Sequence, residues 1–473
     1  MSEIKPTVLY GLDDRPPLGK SVMLALQHVL TMFGSTVAVP LMLGPIMGMN
    51  TAQIAVLISS VMLCSGVATL IQSTVGSRLP IIQGVSFSFL AAFFMIIAAI
   101  HPEGDDTVAA GAAMPYIAGA VMVGAVLEMI IGFSGAMGLI RRVLSPVVVG
   151  PVIMLIGLAL YEAGAPIAAT HWPIAIQTIV LISVFSFVIS DKHPIFRMFP
   201  MLLAIAGTVA TCAALSAVGI FGPDHPARPN LDAFNQADWI RTTGVIFPWG
   251  LPKFDTGFII AVMAGYLASM IESFGDYHAC KQMAGGGDPT PEEISRGIGC
   301  EGIGCALTGV FGGFSSTSYS ENVGLIGLTN VGSRFVVQIG AVMLILLGLF
   351  GKFGALAAAI PTPVVGGLYC AMFGLISAVG IRQFAKADLS SDRNLFIGGF
   401  ALFMGISVQH YFKNGGVEAA EVALPAAISS VVCAVGQTGM AVAAILGIAM
   451  DNLIPGTRAE RGLDTETLAT GET

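Results

Sequence analysis

Phe311-Gly-Gly-Phe-Ser-Ser-Thr-Ser-Tyr-Ser-Glu-Asn-Val-Gly-Leu-Ile-Gly-Leu-Thr-Asn330, followed by Val331-Gly-Ser-Arg334, lies among long apolar segments. Its first half cannot be an ordinary membrane helix. Ser315, Ser316, Thr317, Ser318 and Ser320 are small, polar and poor at filling a helix interior. Thr317 and Tyr319 suit an extended segment. Glu321-Asn322 then opens an apolar run from Val323 to Leu328, spaced by Gly324 and Gly327. The stretch predicts a short extended piece followed by a half-helix that starts near Glu321. Irregular backbone survives at membrane depth only where it is buried in protein or lines a cavity. A half-helix N-terminus exposes free N–H groups and a positive dipole end, which suits a polar or anionic ligand. Broken helices of this kind mark the substrate site in many secondary transporters.

The rest of the composition places that stretch in a membrane. The chain has 473 residues, of which 55% are hydrophobic and only 11% charged; its mean hydropathy is +0.83. A soluble domain carries about 25% charge, so a polytopic helical membrane protein is expected. The first twenty residues are polar and carry Asp13, Asp14 and Arg15, so the first apolar stretch reads as a retained span. A formal charge of −8 gives no basic surface and argues against nucleic acid as a partner. Seven scattered cysteines form no CxxC pair and read as buried, inert thiols, with no metal site.

A span needs about 20 mostly apolar residues. On that measure spans fall near 21–43, 51–73, 81–100, 107–133, 143–161, 172–190, 197–220, 257–276, 297–313, 321–331, 335–351, 355–381, 394–412 and 424–453. That makes fourteen, with the third and tenth discontinuous. Both mix small polar residues into an apolar run, the third in Pro80-Ile-Ile-Gln-Gly-Val-Ser-Phe-Ser-Phe89. With the N-terminus inside, sixteen of the 21 Lys and Arg residues fall in inner loops, Lys5, Arg141 and Arg142 among them. Three of the five outer ones lie in the long loop 221–256. The positive-inside rule therefore puts both termini in the cytoplasm. An internal repeat supports the same layout. Pro146-Val-Val-Val-Gly150 with Gly157-Leu158 mirrors Pro363-Val-Val-Gly-Gly367 with Gly374-Leu375, and Gly132, Gly135 and Gly138 mirror Gly348, Gly351 and Gly354. Seven spans separate the copies, so the two halves are inverted. The expected fold is all-α, fourteen transmembrane spans in two inverted seven-span repeats. The discontinuous third and tenth spans carry short extended segments and meet at the site.

Ionisable groups inside a membrane are costly and are functional candidates. They are His28, Glu128, Glu272, Asp276, Glu301, Glu321 and, near the cytoplasmic end and read as solvated, Asp451. No Lys or Arg sits mid-span to pair with the acids. A buried carboxyl without a cationic partner both donates and accepts hydrogen bonds and can trade a proton between conformational states, which is a physical basis for proton coupling. Glu272 and Asp276 are four apart and share one helix face; the blander reading is that they bond polar partners between helices. Glu321 at the half-helix start could equally be a capping carboxylate. Phe87 could be packing, and Ser86 and Ser88 could bond helix carbonyls. Glu128 and Glu301 have no evident partner; a structural role is expected for Glu301.

Glu321, Asn322, Gly324 and Thr329 form Glu-Asn-x-Gly-x4-Thr, which resembles the signature of the nucleobase–ascorbate transporter family. Asn330 departs from its last place. The resemblance runs from Leu18 to about Leu453 and includes Gln27-His28-Val29-Leu30, Glu272-Ser-Phe-Gly-Asp276-Tyr-His-Ala279 and Gly351-Lys-Phe-Gly354. It implies a cytoplasmic N-terminus (1–20), a substrate-carrying core (21–135 and 257–352) and a gate (136–220 and 353–453) that also makes a homodimer. The extracellular loop 221–256 and a cytoplasmic tail (454–473) complete the chain. It also implies substrate binding by Glu272, Glu321, Phe87, Asn322, Ser86 and Ser320. Asp276, His28, Gln27 and Thr329 support the site or proton coupling. The family's ascorbate carriers have Pro at the position of Glu321, so Glu321 argues against ascorbate. Some uracil carriers have His at the position of Asp276, so Asp276 leans toward oxopurines.

The expected function is import of a nucleobase (uracil or an oxopurine such as xanthine or uric acid) across the plasma, or inner, membrane by proton symport. No cofactor beyond the coupling ion is implied. A sodium-coupled nucleobase or ascorbate-type carrier is the alternative, and sodium fits the same hydroxyls and acids. An anion exchanger of the related fold would want cationic or neutral groups where Glu321 stands. No GxxxxGK[ST] loop for ATP-driven transport occurs, and no metal cluster or nucleophile–base pair suggests an enzyme.

Overall fold

The computed structural model describes residues 8–101, 107–138, 143–242 and 244–463. Lys5, Arg141 and Arg142, used above for orientation, lie outside the described residues, as do the ends of the expected N-terminus and tail. The chain is a mostly helical polytopic membrane protein. Among the described residues nine helices are long and apolar enough to cross a membrane, and three shorter apolar ones join them.

Helices α1 (Leu18–Ile46) and α2 (Thr51–Thr74) open the chain. Asn50 starts α2 through a capping box: its Oδ1 accepts from the Gln53 N–H and Gln53 Oε1 accepts from the Asn50 N–H, both at 3.0 Å. The third apolar stretch is broken, as its serines and glycine predict. Strand β1 (Gln83–Val85) and one 3₁₀ turn (Phe87–Phe89) precede the short helix α3 (Leu90–Ile100). Helices α4 (Met114–Phe133), α5 (Pro146–Ala159), α6 (Thr256–Met283) and α7 (Pro291–Phe311) follow. Gly312, at φ +73°, ends α7 in a left-handed turn that a side chain would strain. Strand β2 (Ser316–Ser318) and the ten-residue helix α8 (Ser320–Thr329) form the second broken stretch. Helices α9 (Arg334–Leu349), α10 (Thr362–Phe384), α11 (Asp392–Tyr411) and α12 (Gly439–Leu453) follow, and two further apolar helices, Trp172–Val184 and Pro200–Ala217, lie between α5 and α6.

β1 and β2 pair antiparallel, Gln83 opposite Ser318, Gly84 opposite Thr317 and Val85 opposite Ser316. The ladder extends by Ser86 N–H to the Ser315 carbonyl (2.9 Å) and Tyr319 N–H to the Ile82 carbonyl (3.0 Å). Each broken stretch thus satisfies the other's backbone groups where no water is at hand. Around this pair the helices pack in two sets. In one, α7 lies on α4 and α2, α9 on α2 and α1, and α6 on α4. In the other, α10 lies on α5, and α11 and α12 on each other and on α5. The segment 221–256 rests on the first set: Trp249 Nε1 donates to the Gly312 carbonyl (3.0 Å) and Lys253 N–H to the Pro115 carbonyl (2.9 Å).

Four boundaries differ from the sequence expectation. α4 starts at Met114 rather than 107, with Pro115 in its first turn. The helix expected over 355–381 starts at Thr362, because Pro361 cannot continue the preceding Gly351–Ala358 helix. The segment 424–453 is two helices, Ala426–Gly436 and α12, broken at Gln437-Thr438. There Gly439 approaches the α11 backbone so closely that a Cβ would lie 2.6 Å from the Gly405 carbonyl oxygen. The half-helix begins at Ser320, one residue earlier than Glu321.

Asp451 is not solvated. It is 1% exposed and takes charge-assisted hydrogen bonds from Arg393 (3.0 Å) and Arg461 (2.7 Å), with Ser145 Oγ donating at 2.7 Å. Its partners lie far off in sequence, so hydropathy alone does not reveal them. Asp451→Ala leaves two arginines facing each other and costs about 3 kcal/mol of stability. Thermal unfolding of the purified protein should show the loss, with Arg461→Ala falling short of it because Arg393 still pairs with Asp451.

Candidate functional site

The site forms where the two broken stretches meet α6 and α1. Gly84 is required for this: a Cβ there would lie 2.4 Å from the Tyr319 ring. The ring therefore lies directly over β1, and its hydroxyl donates to the Val85 carbonyl at 3.0 Å and accepts from Thr36 Oγ1 at 3.3 Å. Tyr319 in turn starts α8, which supplies no side-chain cap of its own at that residue. Asn322 is fully buried and ties α8 to α1. Its Nδ2 donates to the His28 carbonyl at 2.9 Å and lies 3.2 Å from His28 Nδ1. Asn322 Oδ1 and Gln27 Oε1 are buried without a hydrogen-bond partner among the described residues.

Glu321 is exposed although it sits at the inner end of α8; Ser35 Oγ of α1 donates to its Oε1 at 3.4 Å. Glu272, on α6, is half-buried, with no described hydrogen-bond partner, and lies within electrostatic range of both Asp276 and Glu321. A Cβ added at Gly275 of α6 or at Gly324 of α8 would meet nothing within 4 Å. The turns of α6 and α8 that carry the two carboxyls are therefore open, and the space between them is a cleft. Phe87 is half-buried at the wall of the cleft, packed with Ala91 and Ala268 against Val152, Leu155, Ile156 and Met440 of the second helix set.

Asp276 faces away from the cleft opening and into the half-helix. Ser318 Oγ donates to its Oδ2 and Ser320 Oγ to its Oδ1, each at 2.7 Å. The cation within electrostatic reach is Lys386, from the connection between α10 and α11. Behind Asp276 lies Glu301 of α7, 1% exposed and held by Ser269 (3.0 Å), Ser273 (2.8 Å) and Tyr277 (2.9 Å). Glu128 of α4 is wholly buried within electrostatic range of Glu301, with the Cys305 thiol as its side-chain neighbour.

The chain is similar to known proteins. A Permease family model, of the xanthine/uracil permease type, matches residues 19–414. Solute carrier family 23 member 1 of Rattus norvegicus is 35% identical, across 98% of this chain and 83% of its own length. Nucleobase-ascorbate transporter 2 of Arabidopsis thaliana is 34% identical, across 87% of this chain and 80% of its own. The chain belongs to the nucleobase–ascorbate transporter family. Its fold is also that of more distant carriers. The transmembrane domain of the cyanobacterial bicarbonate transporter BicA superposes with a TM-score of 0.57 at 14% identity, over 88% of this chain and 97% of that one. The murine anion transporter Slc26a9 in its inward-facing state gives 0.61 at 11%, over 93% and 69%.

Within this family member, the structure gathers Glu272, Glu321, Phe87, Asn322, His28 and Asp276 around one cleft. Three expected site residues have other work. Ser86 is buried, and its Oγ accepts from the Ser88 N–H (3.3 Å), capping the 3₁₀ turn. The Ser320 hydroxyl is spent on Asp276. Thr329 lies at the far end of α8, about 13 Å along the helix axis, and donates back to the Leu325 carbonyl at 2.9 Å. Glu301, read above as structural, has its partners on the same face of α6 as Asp276. The missed residues are Ser35, Thr36, Ser269, Ser273, Tyr277 and Tyr319. Ser269, Ser273 and Tyr277 do leave a signal, a polar stripe at i, i+4, i+8 in an apolar span.

Gly84→Ala drives its new methyl into the Tyr319 ring and costs roughly 1–3 kcal/mol through overpacking. In a Tyr319→Ala background the same change should cost far less. Unfolding midpoints of the four proteins in that cycle check the coupling.

Proposed function

We propose that this protein imports a nucleobase, uracil or an oxopurine such as xanthine or uric acid, by proton symport. The observation that carries the reading is the pair of carboxyls, half-buried Glu272 and exposed Glu321, within electrostatic range of each other beside the half-helix end. A planar imide edge presents N–H donors beside C=O acceptors. A carboxylate accepts from the N–H groups, and a protonated carboxyl donates to the carbonyl. Phe87 offers a ring face against which a base stacks, and Asn322 fixes α8 by its bonds to His28. Anion transport, the activity of the two structural neighbours, fits less well, because the carboxyl of Glu321 stands at the end of α8 where an anion would sit. A sodium-coupled nucleobase or ascorbate-type carrier is the second reading, since the Arabidopsis relative is a nucleobase-ascorbate transporter; the carboxyl of Glu321 weighs against a second acid in the same cleft.

In this reading the fourteen spans form two inverted seven-span repeats. The first helix set is the core and the second the gate, through which two copies dimerise. The core slides along the gate like an elevator. With both termini in the cytoplasm, the apolar contact of Phe87, Ala91 and Ala268 with α5 and α12 closes the outer side.

Uptake of labelled uracil, xanthine, uric acid, guanine and ascorbate by plasma-membrane vesicles of cells lacking their own carriers tests this. One base should accumulate and its uptake should collapse with a protonophore. Glu272→Gln and Glu321→Pro should each weaken it roughly tenfold to a hundredfold, the loss of one charge-assisted hydrogen bond. Ascorbate uptake, or base uptake that follows sodium, would overturn the proposal.

A further inference from the structure

Glu301 and Asp276 do not touch, yet they are joined by hydroxyls. Asp276 Oδ2 lies 2.7 Å from Ser318 Oγ, Ser318 Oγ lies 2.9 Å from Ser273 Oγ, and Ser273 Oγ lies 2.8 Å from Glu301 Oε1. All three gaps are hydrogen-bond distances, and each needs one hydrogen. The two serines bring two, since a hydroxyl donates once. If Ser318 donates to Asp276 and Ser273 to Glu301, the 2.9 Å gap holds two facing lone pairs and no hydrogen. A complete chain therefore takes its third hydrogen from one of the two acids.

We propose that Ser318 and Ser273 form a proton path between Asp276 at the cleft and Glu301 behind it, and that the two acids share one proton. In one state Asp276 carries it: Asp276 donates to Ser318, Ser318 to Ser273, and Ser273 to Glu301. When each hydrogen shifts one place along its bond, Glu301 holds the proton and Ser318 donates to Asp276 as a carboxylate. Three O–H bonds break and three form, and no atom but hydrogen moves. The path is buried throughout: Ser273, Ser318 and Glu301 are each at most 1% exposed. Asp276 can thus give up its proton within the cleft while the proton stays inside the protein.

The surroundings fit this role. The charged groups near Asp276 are Glu272 one turn back on α6, Glu321 of α8 and Lys386 from the α10–α11 connection. The charged group facing Glu301 from α4 is Glu128, and Tyr277 donates to its second oxygen. Gln72 Nε2 donates to Tyr277 Oη at 2.5 Å, which leaves the tyrosine hydrogen for Glu301. Thr317 Oγ1 lies 3.1 Å from Ser273 Oγ and within hydrogen-bonding reach of Glu301, so it is a second hydroxyl at that end of the path.

The inference rests on the proton-symport reading, and its test separates the two. Infrared difference spectra of the purified protein without any base report the C=O band of protonated carboxyls. Asp276→Asn and Glu301→Gln should each remove the same single band, and the double variant should remove no more. Losses that add, or no loss in either variant, overturn the shared proton whether or not any base is carried. In proteoliposomes, Ser273→Ala should keep base exchange, which needs no net proton movement. It should lose pH-driven accumulation by on the order of a hundredfold, the typical worth of one positioned proton transfer. Ser273→Thr, which restores the hydroxyl, should recover accumulation. Full accumulation in Ser273→Ala overturns the path. Wild-type protein that moves no base refutes the symport reading and leaves the infrared result to decide the inference.

Discussion

Ten backbone positions, five in a row at 82–86 and five at 315–319, lie outside any helix at the centre of a membrane protein. Each unpaired N–H or C=O there would cost several kcal/mol. The two stretches remove that cost by pairing with each other, Gln83 to Val85 against Ser316 to Ser318. Everything else at the site depends on this small ladder. It sets the starting point of α8, so Glu321 emerges at the cleft. It sets the height of Ser318 and Ser320, so both reach Asp276. It also explains why Gly84 faces Tyr319, since any side chain there would push the ring off the strand.

The ladder is held from several directions, which keeps a short sheet from fraying. Thr69 Oγ1 of α2 accepts from the Gln83 N–H at 2.8 Å. Cys305 Sγ of α7 lies 3.2 Å from the Ser316 carbonyl. At the far end of α8, Asn330 turns the chain at φ +54°, and Leu9 N–H donates to its carbonyl at 2.8 Å. Arg334 then pairs with Asp13 at 2.6 Å. The half-helix is thus fixed at both ends to the first helix set, α1 and the segment before it included. Phe87, by contrast, packs on α5 and α12 of the second set.

Much of this is legible in the sequence, because the membrane leaves few choices. Serines followed by Glu-Asn in an apolar context predict a broken span, and the matching break before Phe87 marks its partner. The acids on α6 and α8 stand out because charge is rare in such segments. What the sequence hides is long-range. Asp451 reads as a solvated end residue because Arg393 and Arg461 meet it only in the fold. Thr329 belongs to the same motif as Glu321, yet eight residues of helix carry it away from the cleft. Glu301 gives no hint of its partners, since Ser269, Ser273 and Tyr277 lie 24 to 32 residues upstream. Hydroxyls on an apolar helix are weak signals singly, and only their common face makes them a site.

The central claim is that a base occupies the cleft between Glu272 and Glu321. An experimental structure determined with xanthine or uracil bound tests it most directly. The account predicts density for one planar ring beside Phe87, its polar edge toward both carboxyls. Density instead in the separate crevice of about 470 Å³ lined by Met95, Asp255, Phe258 and Gln437, with the cleft empty, would contradict it.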